Sequence, residues 1–333
     1  MEDKTMRESL SILCNNFIEN RDTIKSTLGW ENSYLYPVCA AIFTDKGKRA
    51  CAQDLLHCRD ILKSETGLFS NFRGMSKLAM ISMMAVEENP KERLKNALDA
   101  YSSLKEFFWS SEYLPMVSMV IADLVEPERY GELAEKIKRI YKLMKNEHPF
   151  LTSGEDSVFA ALLALSEMSD EKIVAETEKC YQLLKQEFFS GNAVQSLSHV
   201  LALCEGTAEN KYYRTMQLFN GLKARGYKYG TDYELATLGV LAMLPVELEQ
   251  VMTDIIAADD FLATQKGYGF LGIGRKQRMM HAGMLVVSDY MKDDKNYAMS
   301  SAAIGSVISL IVAQQTAMCA AVAASSAAAA SSN

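Results

Sequence analysis

A repeat of about forty residues constrains this chain more than any other feature, because self-similarity at that period marks stacked units that cannot bury their apolar faces alone. Apolar stretches recur as YPVCAAIF from Tyr36, YLPMVSMVIADL from Tyr113, SVFAALLAL from Ser157, SLSHVLAL from Ser196 and YELATLGVLAML from Tyr233. Aligning Ala85, Ala122, Ala164, Ala202 and Ala242 gives steps of 37, 42, 38 and 40 residues. A second register agrees with the first. An aromatic residue followed by Leu or Met and then Lys recurs from Tyr101 to Lys105, Tyr141 to Lys145, Tyr181 to Lys185 and Phe219 to Lys223, with the tyrosines 40 residues apart each time. Lys63 extends that series backwards.

Each period predicts two helices. The first, here A, is apolar nearly all round and rich in Ala and Ser, the composition of a helix packed on several sides. The second, B, as in PKERLKNALDAYSSLKEFF, spaces its apolar residues three and four apart with charges between them, so one face meets water. Pro90, Pro127 and Pro245 stand where B helices should begin, positions at which a missing N–H costs little. No segment shows sustained strand alternation. The expectation is therefore an all-α protein of two-helix repeats, either an α-solenoid of the HEAT or armadillo kind or a closed α/α ring. Residues 1–30 would cap the array, 31–297 form it, 298–325 add an apolar helix packed on it, and 326–333 a low-complexity tail.

Composition narrows function mainly by exclusion. A net charge of −7 over 333 residues argues against nucleic acid as a partner, which would call for a clustered basic surface. Seven cysteines without a CxxC pair, and an opening MEDKTMRESL without an apolar signal stretch, predict a reducing cytoplasm. Cys51, His57 and Cys58 lack the second pair a zinc site needs, so no metal is expected. No cofactor is expected either, and neither a GxSxG elbow nor HExxH is present.

One motif invites a different reading. In GYGFLGIGRK, Gly267, Gly269 and Gly272 have the GxGxxG spacing of dinucleotide loops. That fingerprint requires a preceding strand, whereas VMTDIIAADDFLATQK reads as a B helix, so the glycines predict a turn into the next A helix. Arg275, Lys276 and Arg278 then fall where a helix begins, a place unfavourable to cations unless an anion is held by the free N–H groups. Gly269, Gly272, Gly274, these three cations and His281 are accordingly the candidate site for a small anionic ligand, with Arg73 of SNFRG at a similar corner. Glu155 and Asp156 of TSGEDS are acidic candidates that would equally suit a helix N-terminus.

The segment Ala302 to Ala324 carries no charge over 23 residues and is long enough to span a bilayer. Its central Gln314, Gln315 and Thr316, its many Ala and Ser, and the absence of an aromatic belt or of basic residues beyond it favour burial within the protein or at a homodimer contact over a membrane.

The stretches YLYPVCAAIFT, LFSNFRG, HPFLTSGEDSVFAALLAL and GYGFLGIGRKQRMMHAGMLVV, with the Ala/Ser-rich end, resemble a family of bacterial proteins of similar length, mainly from Firmicutes, known as a domain of unknown function. The resemblance covers essentially the whole chain. It implies a bacterial, cytoplasmic context and brings no activity, cofactor or catalytic residue. The functional expectation is a protein-interaction or scaffold module that binds a protein partner or itself, with two alternatives. These are an α/α-ring enzyme or anion binder at residues 267–278, and a membrane-tethered adaptor.

Overall fold

The computed structural model describes residues 6–29, 33–68, 70–269 and 272–293. Among them are fourteen α-helices and no strand, only an isolated bridge between Tyr268 and Ile273. The apolar segment 298–325 and the tail lie outside the described residues.

In chain order the helices are α1 (Glu8–Thr27), α2 (Leu35–Asp45), α3 (Ala52–Glu65), α4 (Lys77–Ala85), α5 (Pro90–Lys105), α6 (Leu114–Leu124) and α7 (Tyr130–Glu147). There follow α8 (Ser157–Ala164), α9 (Asp170–Leu184), α10 (Gly191–Ala202), α11 (Ala208–Ala224), α12 (Leu235–Ala242), α13 (Leu248–Ala263) and α14 (Arg275–Asp293). From α2 onward the even-numbered helices are the A stretches and the odd-numbered ones the B segments. Every residue of α8 and of α12 is buried, as their all-round apolarity requires. On α7 the buried set is Tyr130, Leu133, Ala134, Ile137, Ile140 and Met144, one stripe at helical spacing with Lys and Glu between. Local signals set the starts. Pro90 is in the first turn of α5, capped by Asn89, whose side chain accepts from the Glu92 N–H.

The chain divides into two compact units, residues 56–216 and residues 1–55 with 217–333. In the first, α4, α6, α8 and α10 pack side by side as one layer while α5, α7 and α9 form a second, and each of these B helices packs most extensively on the A helix that follows it. The hairpin of closest packing is thus B then A, across the longer of the two turn types. Those turns explain the second sequence register. Phe72 meets Tyr101 edge to face at 5.2 Å, Phe108 meets Tyr141 at 5.5 Å, and His148 lies 4.3 Å from Tyr181. The tyrosines recur every 40 residues because each receives the aromatic ring of the preceding turn, an arrangement worth about 0.5–1.5 kcal/mol beyond area burial.

In the other unit, α1 packs on α2, α13 and α14, and α14 also on α2 and α12. The start and the described end of the chain therefore meet inside one unit. Polar groups join them. Arg7 bridges Asp254 at 3.1 Å and Asp289 at 2.7 Å, Tyr290 Oη donates to Asp254 at 2.6 Å, and both carboxylates are buried. Asn20 on α1 donates to Lys48 O at 3.1 Å and accepts from the Ala50 N–H at 2.8 Å, fixing the α2–α3 turn.

Candidate functional site

The glycine corner is a closed turn. Gly267 and Gly269 adopt φ of 93° and 127°, a region that a side chain disfavours. The Ile273 N–H donates to Gly267 O at 2.9 Å and the Gly269 N–H to Ile273 O at 3.0 Å. A Cβ on Gly272 would stand 2.2 Å from Gly267 O, so only glycine fits there. The glycine spacing thus serves a backbone crossing between α13 and α14.

The structure places the candidate cations around this turn and gives each a different partner. Arg275 donates to Gly226 O at 2.6 Å and lies over the Tyr227 ring. Lys276 faces Asp232 at 3.7 Å with both side chains exposed, a pair of little energetic weight. Arg278 forms two parallel 2.8 Å bonds to the buried Asp259, which raise its pKa first among several effects. Gly274 immediately precedes α14. His281 is buried one turn further on, its Nδ1 3.1 Å from Tyr268 Oη. Burial, then the nearby Arg21 cation, lowers its pKa to about 3, so the ring is neutral at pH 7. Arg21 on α1 was not legible as part of this corner. It is buried, bonded to Asp22, and its guanidinium lies 5.6 Å from the Tyr268 ring centre.

The remaining candidates belong to the other unit. Arg73 donates to Thr66 Oγ1 at 3.0 Å and to Lys63 O, so its charge sits on the C-terminal carbonyls of α3, where a cation is favourable. Asp156 is buried and accepts from the Ser153 N–H at 2.7 Å. Burial raises its pKa to about 7 against that stabilising bond. Glu155 lies beside it, half-buried, in the same 3₁₀ turn. A water-sized crevice, about 10 Å3, lies between α7, α9 and α10, lined by His148, Glu178, Thr177 and His199. His148 Nε2 is 2.9 Å from Glu178, and burial lowers the pKa of His199 to about 3. Among the described residues no His, Cys, Asp or Glu cluster could hold a metal, and no helix is long and apolar enough to cross a membrane.

Sequence patterning does not single out the most exposed apolar side chains. Leu68, Trp109, Phe150 and Phe189 are 74%, 94%, 99% and 107% exposed, and each follows the C-terminal end of a B helix: α3, α5, α7 and α9. Their turns touch in series. Asn71 donates to Ser110 Oγ at 2.7 Å and Ser111 O at 2.9 Å, the Met75 N–H donates to Glu112 at 3.0 Å, Tyr113 lies beside Gly154, and Leu151 lies against Gly191. The four residues therefore stand along one continuous edge of residues 56–216. In two of these turns the neighbouring aromatic is packed: Phe108, beside Trp109, lies against Tyr141, and Phe188, beside Phe189, is buried.

The protein family described as protein of unknown function (DUF4003) matches residues 20–316. This chain belongs to that family. It is also similar to the Uncharacterized protein YeaA of Bacillus subtilis (strain 168), with 24% identity over 303 residues, 88% of this chain and 89% of that protein. No solved structure matches.

Proposed function

We propose that this member of the DUF4003 family is a binding module for another protein chain, acting through the turn edge of residues 56–216. The row of Leu68, Trp109, Phe150 and Phe189 carries this reading. Single exposed apolar residues are ordinary on protein surfaces, but a regular series of the largest ones at one edge is the anatomy of an interaction surface. The charged and titratable groups of the glycine corner support the same choice from the other side. An anionic ligand at Arg275 to Arg278 would have to displace Asp259, Asp232 and a backbone carbonyl, whereas none of the described residues has to be displaced at the turn edge.

The test is a photo-crosslinking amino acid at position 109 in the bacterium, with position 132 on the solvent face of α7 as the control. Protein adducts from 109 and not from 132 are expected. Adducts to lipid alone, or none, would withdraw the reading.

A further inference from the structure

We propose that the partner at this edge is a second copy of the same chain, laid along it in reverse about a two-fold axis between Trp109 and Phe150. The inference rests on the binding-module reading above and goes further by naming the occupant.

Geometry favours a self-complementary pair. The knobs recur once per helical hairpin, and adjacent packed helices are separated by roughly 8–10 Å, so the row has a regular spacing. A regular row matches its own reversed copy. Under the two-fold, Trp109 of one chain meets Phe150 of the other at the centre, and Leu68 meets Phe189 at each end, the isologous pattern of most homodimers.

Charge and area agree with that occupant. Each knob follows a lysine and a glutamate: Lys63 and Glu65 before Leu68, Lys105 and Glu106 before Trp109, Lys145 and Glu147 before Phe150, Lys185 and Glu187 before Phe189. The net charge of −7 is therefore not concentrated at this edge, and two copies can approach without strong like-charge repulsion. Mixed signs are also unsuited to a polyanionic surface. Covered aromatic side chains bury about 150–250 Å2 each, so three of them and Leu68 give on the order of 600–800 Å2 per copy. Two copies reach about 1,200–1,600 Å2, within the range of specific interfaces.

Light scattering and sedimentation of the full-length chain across a wide concentration range test the proposal. The unaltered protein should dimerise. W109S/F150S should keep the same far-UV spectrum, and the same melting temperature at concentrations where both proteins are monomeric, since neither side chain is packed, while dimerisation weakens about thirtyfold or more, the equivalent of one lost hot spot of ~2 kcal/mol. A monomer at every concentration, or a dimer indifferent to W109S/F150S, overturns it. A monomer that still yields adducts with other proteins from position 109 overturns only the choice of partner and leaves the binding-module reading standing. Absence of protein adducts removes both.

Discussion

The two units are held together by different means. Residues 56–216 repeat one device: the aromatic of each turn packs on the tyrosine of the next B helix, as in Phe72 on Tyr101, Phe108 on Tyr141 and His148 on Tyr181. The unit built from both ends of the chain instead rests on ion pairs to fully buried carboxylates, Arg7 with Asp254 and Asp289, and Arg278 with Asp259. Residues 56–216 also hold ion pairs, Arg93 with Asp123 and Lys211 with Glu176, but there the buried partner is the cation. A repeated device is replaceable one step at a time. A unique buried pair is not, because losing one partner leaves a charge without compensation.

The largest effect should come from breaking that contrast at its polar end. Asp259→Ala strands the partly buried Arg278 guanidinium and should destabilise the protein by about 3–5 kcal/mol in urea titrations. A loss below about 1 kcal/mol would mean that solvent already satisfies Arg278.

The two buried histidines sharpen the comparison next. Both His281 and His199 have pKa values lowered to about 3, below the unfolded value near 6.5. The unfolded chain therefore binds more protons between those values, so the stability each contributes is complete above pH 6.5 and is lost as pH falls towards 3. His281→Leu should cost about 1–3 kcal/mol at pH 8, because Tyr268 Oη loses its partner. His199→Leu should cost less there, because the His199 Nδ1 has no hydrogen-bond partner to lose, and both variants should flatten the acid-side slope. Unfolding midpoints of both variants at pH 8 and pH 5 decide the matter, and equal costs at pH 8 would erase the distinction.

Smaller still is one repeat of the aromatic device. Tyr141→Leu keeps the bulk of the side chain but removes the edge-to-face contact with Phe108, for an expected loss of about 0.5–1.5 kcal/mol. A loss like that of Asp259→Ala would show that the repeats are not independent. The smallest effect belongs to the exposed edge. Trp109→Ser should move stability by no more than about 0.5 kcal/mol under conditions where the chain is monomeric.

Much of this architecture was legible in the sequence. Helix type and order followed from apolar periodicity, and the start of α5 from Pro90, because a helix reports its surroundings through residues three and four apart. The 40-residue spacing of Tyr101, Tyr141 and Tyr181 was equally plain, although its cause, a ring packed from the preceding turn, was not. GYGFLGIG read correctly as a turn because no strand precedes it.

What the sequence by itself determined about this protein is its all-helical class and its alternation of inner and outer helices, both consequences of local periodicity. Only the tertiary structure decided how the charged residues pair and which aromatic residues face water. Arg275, Lys276 and Arg278 are close in sequence and looked like one group, yet their partners Gly226, Asp232 and Asp259 come from elsewhere in the chain. Phe108 and Trp109 are adjacent and equally apolar, but one packs on Tyr141 and the other is left in solvent. The physical reason is common to both cases. Periodicity says which face of a helix is buried, whereas the partner of a charge and the direction of a turn side chain depend on which distant segment lies opposite.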